Sequence, residues 1–319
     1  MTKIGIVVIG RNEAGALANC LSSVEEHRGH IVYADSASTD ASREIATDHG
    51  ALVVSIDPAI KLTPARGRNE GFTALLGLFP DCEFVQFIDG DSRVSPGWIE
   101  AAADFLSSNE RVAVVCGHVV EEHPSRSIYN WLCSTEWQGA VGRIDACGGN
   151  AMIRASAFRE AGGFRGDLVA GEEAELMARM RSKGWEIWRI DRPMVIHDSD
   201  IQRFSDWWRR ARRGGYSYAN VWWLTKNSRE PLYADQLRSS LLWVVALPLL
   251  VVALGLSTRQ PLLLLMLPLA WGLQTARIAL GPGAPEKPSW MYGALIMLAK
   301  IPEALGILHY ASVRAIRGN

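Results

Sequence analysis

The sequence predicts an α/β domain built on a parallel sheet, followed by a C-terminal membrane region. Two patterns carry this expectation. From Ile4 to about Val120 short apolar runs alternate with amphipathic stretches, the βαβαβ order of a sheet with helices on both faces. After Leu241 the apolar residues gather into runs almost free of charge. A chain of 319 residues is long enough for one sizeable core and such an appendage.

The strands expected are Ile4 to Ile9, His30 to Asp35, Ala51 to Ile56, Glu83 to Ile88 and Val112 to Val119. Helices fill the gaps: Ala14 to His27 behind Asn12, Ala41 to His49 behind Thr39-Asp40, and Gly97 to Leu106 behind Ser95-Pro96, each with capping groups at its start. Cys147 to Pro193 then offers a Gly-Gly-Asn turn, a Gly162-Gly163-Phe164 turn, an acidic helix from Glu172 to Lys183 and a strand from Trp185 to Ile190, which complete the same domain. A basic, aromatic segment from Arg203 to Trp223 closes it. The expected division is therefore 1–225 for the domain and 226–319 for the membrane region.

Leu241 to Leu256 has no charge and Leu262 to Leu280 only Arg277, so the two read as a hairpin turning at Ser257 to Gln260. Trp290 to Tyr310 contains Lys300, Pro302 and Glu303; it either lies in the interface as an amphipathic helix or crosses as a third span. Arg203 to Arg213, Arg238, Arg314 and Arg317 favour cytosolic flanks, which implies a multi-pass protein of the bacterial inner-membrane kind with its first domain in the cytosol. Met1-Thr2-Lys3 runs straight into the first strand, so no secretory signal is expected. Five scattered cysteines without a CxxC pair signal neither a zinc site nor a disulfide framework. A net charge of −1 gives no sign of a nucleic-acid partner.

Ligands of such sheets bind beyond the carboxyl ends of the strands. Asp89-Gly90-Asp91 follows a strand there, and two carboxylates suffice for Mg2+ or Mn2+, which fill their shells with phosphates and water. Arg11-Asn12-Glu13, Asp35 to Asp40, and Ala65 to Gly71, read as a loop before the DxD strand, fall at corresponding places. Their carboxylates can accept from a base or ribose and their arginines can meet phosphate, although Asp40 equally suits a helix cap. Gly5 and Gly10 mimic a phosphate-binding GxxxxG, but apolar strand lies between them and no Lys-Ser/Thr follows, which excludes an NTPase loop.

Together these residues resemble glycosyltransferase family 2, over roughly Ile4 to Ala219. The matching segments are Asn12-Glu13, Asp35 with Ser38 and Asp40, Arg66 to Gly71, Asp89 with Asp91, Gly148-Gly149 and Gly171-Glu172-Glu173. The resemblance implies a GT-A-type, Rossmann-like domain, a nucleotide-sugar donor and inversion at the anomeric carbon. It puts Asn12, Glu13, Asp35, Arg66, Arg68, Asn69, Asp89 and Gly149 at the donor, and Asp91 and Asp89, with His197, at a Mg2+ or Mn2+ ion. Glu173 becomes the general base and Glu172 a positioning residue, with exchange of these two roles left open. A lone histidine such as His197 is also a common packed or surface residue. Gly10, Ser36-Ala37 and Glu173 depart from the family's usual proline, Asp-Gly and aspartate.

Trp207-Trp208-Arg209-Arg210-Ala211-Arg212-Arg213 lies just before the hairpin. Trp207, Arg209, Arg210 and Arg213 are expected to meet lipid headgroups or the phosphate of a lipid or lipid-linked acceptor. The rival readings are a nucleotidyltransferase, which would need a glycine-rich loop after the first strand, and a noncatalytic membrane scaffold.

Overall fold

The computed structural model describes residues 3–168, 170–228, 231–281, 285 and 289–317, without the side chain of Arg317. The chain forms two compact units, Met1–Asp200 and Ile201–Asn319. The basic segment thus groups with the C-terminal helices, and the boundary expected at 225/226 falls at Asp200/Ile201.

The first unit runs β1 (Ile4–Gly10), α1 (Leu17–Ser22), β2 (Ile31–Asp35), α2 (Ser42–Asp48), β3 (Leu52–Ser55), α3 (Pro64–Leu78), β4 (Phe84–Asp89), β5 (Ser92–Val94), α4 (Trp98–Ser108), β6 (Val112–Glu121), α5 (Ile128–Glu136), β7 (Gly142–Ile144), β8 (Ala151–Arg154), α6 (Ala155–Ala161), α7 (Glu172–Ser182) and β9 (Glu186–His197). All nine strands join one sheet in the order β3-β2-β1-β4-β8-β6-β9-β5, with β7 on β9. The core lies on its faces: Ile6, Val7, Val8, Tyr33, Phe87 and Ile88 are fully buried, as continuous apolar runs in a doubly covered sheet should be.

The sheet is mixed, which corrects the all-parallel expectation. β3, β2, β1 and β4 are parallel, but β8 enters antiparallel between β4 and β6. Parallel strands require a crossover. The chain reaches β8 through the short strand β7 and a glycine turn, and so runs back along β4 from its carboxyl end.

Two local expectations also change. Arg66 to Gly71 belongs to α3 rather than to a loop, because Thr63 caps the helix by accepting from the Arg66 N–H at 3.2 Å and Pro64 opens it. Ala14 to His27 is α1 followed by a short 3-10 turn, Glu25–His27. Ser23 interrupts the run: its hydroxyl donates to the Cys20 carbonyl and accepts from Val94 N–H at 3.0 Å.

The second unit comprises α8 (Phe204–Thr225), α9 (Ala234–Leu241), α10 (Leu247–Thr258), α11 (Met266–Ala279) and α12 (Ser289–Arg317). A π turn at Leu242–Ala246 makes α9 and α10 continuous; Pro248, which lacks an N–H, sits just after the point where the ladder widens. Ala234–Thr258, Pro261–Ala279 and Ser289–Ile316 are long and apolar enough to cross a membrane. The first two are 6% buried within the structure and the third 44%.

Candidate active site

The site is built where β4 ends. Asp89 is its last residue, and the register Phe87↔Ala151 carries the segment before β8 alongside it. Asn150, in that segment, accepts from the Asp89 N–H at 2.9 Å, while its amide nitrogen lies 3.4 Å from Asp89 Oδ2 and 3.5 Å from Ser92 Oγ. Asn150 and Ser92 escaped assignment from sequence; the available signal was the asparagine that ends the Gly-Gly-Asn turn.

Arg68 is the centre of the site. Projecting from α3, its buried guanidinium reaches Asp89 Oδ1 at 2.8 Å, Glu172 Oε1 at 2.9 Å and Glu173 Oε1 at 3.2 Å. One cation thus ties the DxD strand to the start of α7. Burial outweighs the attraction of Arg68 at Glu173, and its carboxyl is pushed up to about 7. Glu172 is almost fully enclosed, whereas Glu173 keeps 18% of its side-chain surface.

Asp91 lies on the other side of the DxD. Antiparallel pairing of β5 with β9 sets Ser92 opposite His197, and His197 Nδ1 comes within 3.4 Å of Asp91 Oδ1. Trp137 packs on that imidazole at 5.3 Å between centroids. Burial raises the Asp91 carboxyl, and His197 opposes the rise. A carboxylate just before β5 and an imidazole at the end of β9, its neighbour in the sheet, suit a divalent ion completed by phosphate and water, so Asp91 and His197 fit Mg2+ or Mn2+. Asp89, engaged by Arg68 and Asn150, fits that role less well.

Asp35 is fully buried; Oδ2 accepts from the Ser38 N–H at 3.0 Å, and Oδ1 has no donor among the described residues. A stranded buried acceptor is costly, so this oxygen invites an N–H or O–H from a ligand. Glu13, after β1, has its carboxyl raised by burial and then by Asp91. Asn12, at φ 59°, uses its side-chain oxygen to accept from the Thr39 N–H at 2.8 Å and so braces the loop. Asp40 takes the helix-start role, accepting from Ser42 N–H and Ala14 N–H, both at 3.0 Å.

Other expected contacts are occupied by structural duties. Arg66 donates to the carbonyls of Asp57, Ile60 and Lys61 and pairs with Glu70, while Asn69 clasps both backbone groups of Phe164. Neither extends to Asp89. Trp207 is 4% exposed and therefore does not present its ring to headgroups, a correction that follows from its inward place on α8. Arg209, Arg210 and Arg213 lie on the exposed face of that helix.

Comparison with known proteins decides the family. The family model Glycosyl transferase family 2 matches residues 5–162, and Glycosyl transferase family group 2 matches residues 84–280. The chain belongs to glycosyl transferase family 2. Among curated family relatives, the pre-mycofactocin glycosyltransferase of Mycobacterium tuberculosis is 27% identical over 224 residues, covering 66% of this chain and 46% of that protein. The succinoglycan biosynthesis protein ExoA of Rhizobium meliloti is 24% identical over 208 residues, covering 60% and 62%. The chain thus spans about half to two thirds of the length of these relatives. In fold it is similar to the mannosyltransferase PcManGT of Pyrobaculum calidifontis, solved with GDP-Man and Mn2+, at a TM-score of 0.64 and 18% identity over 96% of this chain and 87% of that one. TarS 1-349 of S. aureus, solved with UDP-GlcNAc, gives 0.53 at 14% identity over 98% and 91%. These likenesses establish a GT-A-type fold for this family 2 chain.

Proposed function

We propose that this family 2 chain transfers a sugar, with inversion, from a nucleotide-diphosphate sugar to a hydroxyl or phosphate of a lipid or lipid-linked acceptor. The observation that carries the proposal is the bridge made by Arg68: it holds Glu173, a carboxyl poised at about 7, one guanidinium away from Asp89. A base is most effective when its pKa lies near the working pH. Glu173 takes the proton from an attacking hydroxyl, Glu172 fixes Arg68, and Arg68 with Asn150 fixes Asp89 on the donor's side. The unpaired Asp35 oxygen receives a hydrogen bond from the base or ribose. Asp91 and His197 would hold a Mg2+ or Mn2+ ion, which when bound would supply positive charge to the leaving diphosphate.

The relatives support this reading: PcManGT was solved with GDP-Man and Mn2+ and TarS with UDP-GlcNAc, while ExoA is named for succinoglycan biosynthesis. The apolar C-terminal helices supply the reason for a lipid acceptor and a membrane location.

The test is a panel of nucleotide sugars with Mn2+, scored for free nucleoside diphosphate. Release of pyrophosphate from an NTP supplied with a sugar 1-phosphate, in place of nucleoside diphosphate from the nucleotide sugars, would indicate nucleotidyl transfer, and no turnover with any donor would favour a scaffold. Glu173→Gln should bind donor while transfer falls by about two to four orders of magnitude. Because Glu173 must be ionised to act, wild-type kcat should climb with pH and level off above about 7. Near wild-type turnover by Glu173→Gln would remove Glu173 from the mechanism. The same shift has a stability sign: a carboxyl that holds its proton more tightly when folded favours folding at acid pH, and this contribution is lost as pH rises through about 7.

A further inference from the structure

We infer that α12 does not cross the bilayer. It lies along the membrane surface on the side from which α8 enters, with Trp290, Leu305, Leu308 and Ile316 in contact with lipid. This rests on the proposed membrane location and decides how many times the chain crosses.

With 29 residues, α12 is about 43 Å long at 1.5 Å per residue, more than the ~30 Å hydrocarbon core. If it crossed, one end would have to reach the depth of the turn at Arg259 between the two hairpin legs. Instead its successive segments are tied to groups at the opposite, near end of the hairpin. Gly293 sits so close to α11 that a Cβ there would lie 2.6 Å from the Thr275 carbonyl and 3.3 Å from Ala279, at the helix's last turn. Ten residues on, Glu303 accepts from Ser240 Oγ at 2.6 Å, and Ser240 lies at the end of α9, where the first apolar run begins. Lys300 closes the same cluster on Glu303 at 2.9 Å. The helix therefore passes from the near end of one leg to the near end of the other.

The rest of α12 is locked onto α8. Their backbones meet at paired glycines: a Cβ on Gly215 would lie 2.0 Å from the Glu303 carbonyl oxygen, and one on Gly306 would lie 2.1 Å from that of Arg212. Beyond the crossing, Tyr216 packs on Tyr310 and Arg314 stacks on Trp223 at 3.9 Å. α8 exposes Arg209, Arg210, Arg212 and Arg213, whose charges exclude it from hydrocarbon. Whatever is locked to it stays at its depth.

The lipid-facing pattern agrees. The hairpin legs are 6% buried, as helices surrounded by acyl chains should be, whereas α12 is 44% buried. Its exposed large apolar residues, Trp290, Leu305, Leu308 and Ile316, fall within one 80° arc of the helix at 100° per residue, while Lys300 and Glu303 point away from it. A narrow exposed apolar stripe, on a helix that otherwise packs on protein through Leu295, Met297, Ala304 and Ile307 and carries the Lys300–Glu303 pair, is the form of a helix that meets lipid along one edge only. The exposed hairpin on the same unit makes the bilayer its occupant.

The experiment maps the full chain in intact cells. The Thr258→Cys variant is probed with a membrane-impermeant maleimide from outside, and a reporter active only in the cytosol, or only outside, is fused after Asn319. Two crossings predict that the thiol introduced at position 258 labels from outside and that the fusion reports the cytosol. Outside labelling together with an outside fusion would make α12 a third span and overturn the inference while leaving the membrane location intact. If the introduced thiol labels only after lysis, the hairpin does not cross, and the membrane reading and this inference both fall.

Discussion

Gly149 illustrates how a single position can be located from sequence while its duty stays hidden. A Cβ there would lie 1.9 Å from Arg68 Nη2 and 3.0 Å from Glu173 Oε1. Arg68 is 3% exposed and pinned by three carboxylates, so it cannot swing aside as a flexible surface side chain would. Gly149→Ala should therefore displace the guanidinium, with kcat/KM falling about a hundredfold, the size expected from an ångström-scale misplacement of site groups. The melting temperature should change little; an unchanged kcat/KM would show that Arg68 has room to move. The resemblance placed Gly149 at the donor, but the glycine is needed for what passes over it. Asp89, Asp91, His197 and the two glutamates could be singled out in the sequence because their types announce chemistry. Arg66 shares the chemistry of Arg68 and Asn69 stands beside it in sequence, and only packing reveals that both hold backbone. Ala37 shows the reverse case. Its φ of 60° is the left-handed conformation that glycine adopts freely, so the departure from the family's usual Asp-Gly was a real local signal.

At the scale of elements, the strands were legible from their apolar runs and the direction of one of them was not. β8 runs antiparallel to β4, which places the start of β8 at the end of β4, and this reversal alone brings Asn150 to Asp89. The same device acts at β5 and β9, whose antiparallel register delivers His197 to Asp91. Four residues of Ala151–Arg154 look the same in either direction, because alternation of side chains has no polarity. α3 was missed for another reason: Thr63-Pro64 is a helix-start signal, but the charged residues behind it resemble a ligand loop. Asn150→Leu keeps the bulk of the side chain and strands the Asp89 N–H, a loss of about 1–3 kcal/mol for a buried donor. The DxD should then lose its fixed position. Mn2+ binding, read by the paramagnetic resonance of the free ion, should weaken and kcat/KM should fall about tenfold or more. Weaker stability with unaltered Mn2+ affinity would reduce Asn150 to a packing role.

For the whole molecule, a net charge of −1 conceals two chemically distinct parts. The apolar runs after Leu241 announced themselves by length and lack of charge, but the association of α8 with the C-terminal helices did not. It depends on Gly215 and Gly306 meeting across 91 residues of sequence, which no local pattern encodes. That grouping gives the basic face a purpose. Arg209, Arg210, Arg212 and Arg213 are exposed on a helix of the same unit that carries the bare hairpin, so they stand ready for a negatively charged surface. A basic residue close to an anionic leaflet contributes about 1 kcal/mol. In proteoliposomes the wild-type chain should therefore turn over faster with phosphatidylglycerol present than in phosphatidylcholine alone, and salt should erode the difference as the Debye length shrinks. Replacing Arg209, Arg210 and Arg213 by glutamate leaves the buried glycine crossing and the first unit untouched. It should abolish or invert the lipid response, while activity in neutral lipid changes by less than about threefold if these arginines meet headgroups. A collapse of activity in neutral lipid as well would instead assign them to the acceptor's own phosphate, and an undiminished response to phosphatidylglycerol would show that this face does not meet the membrane.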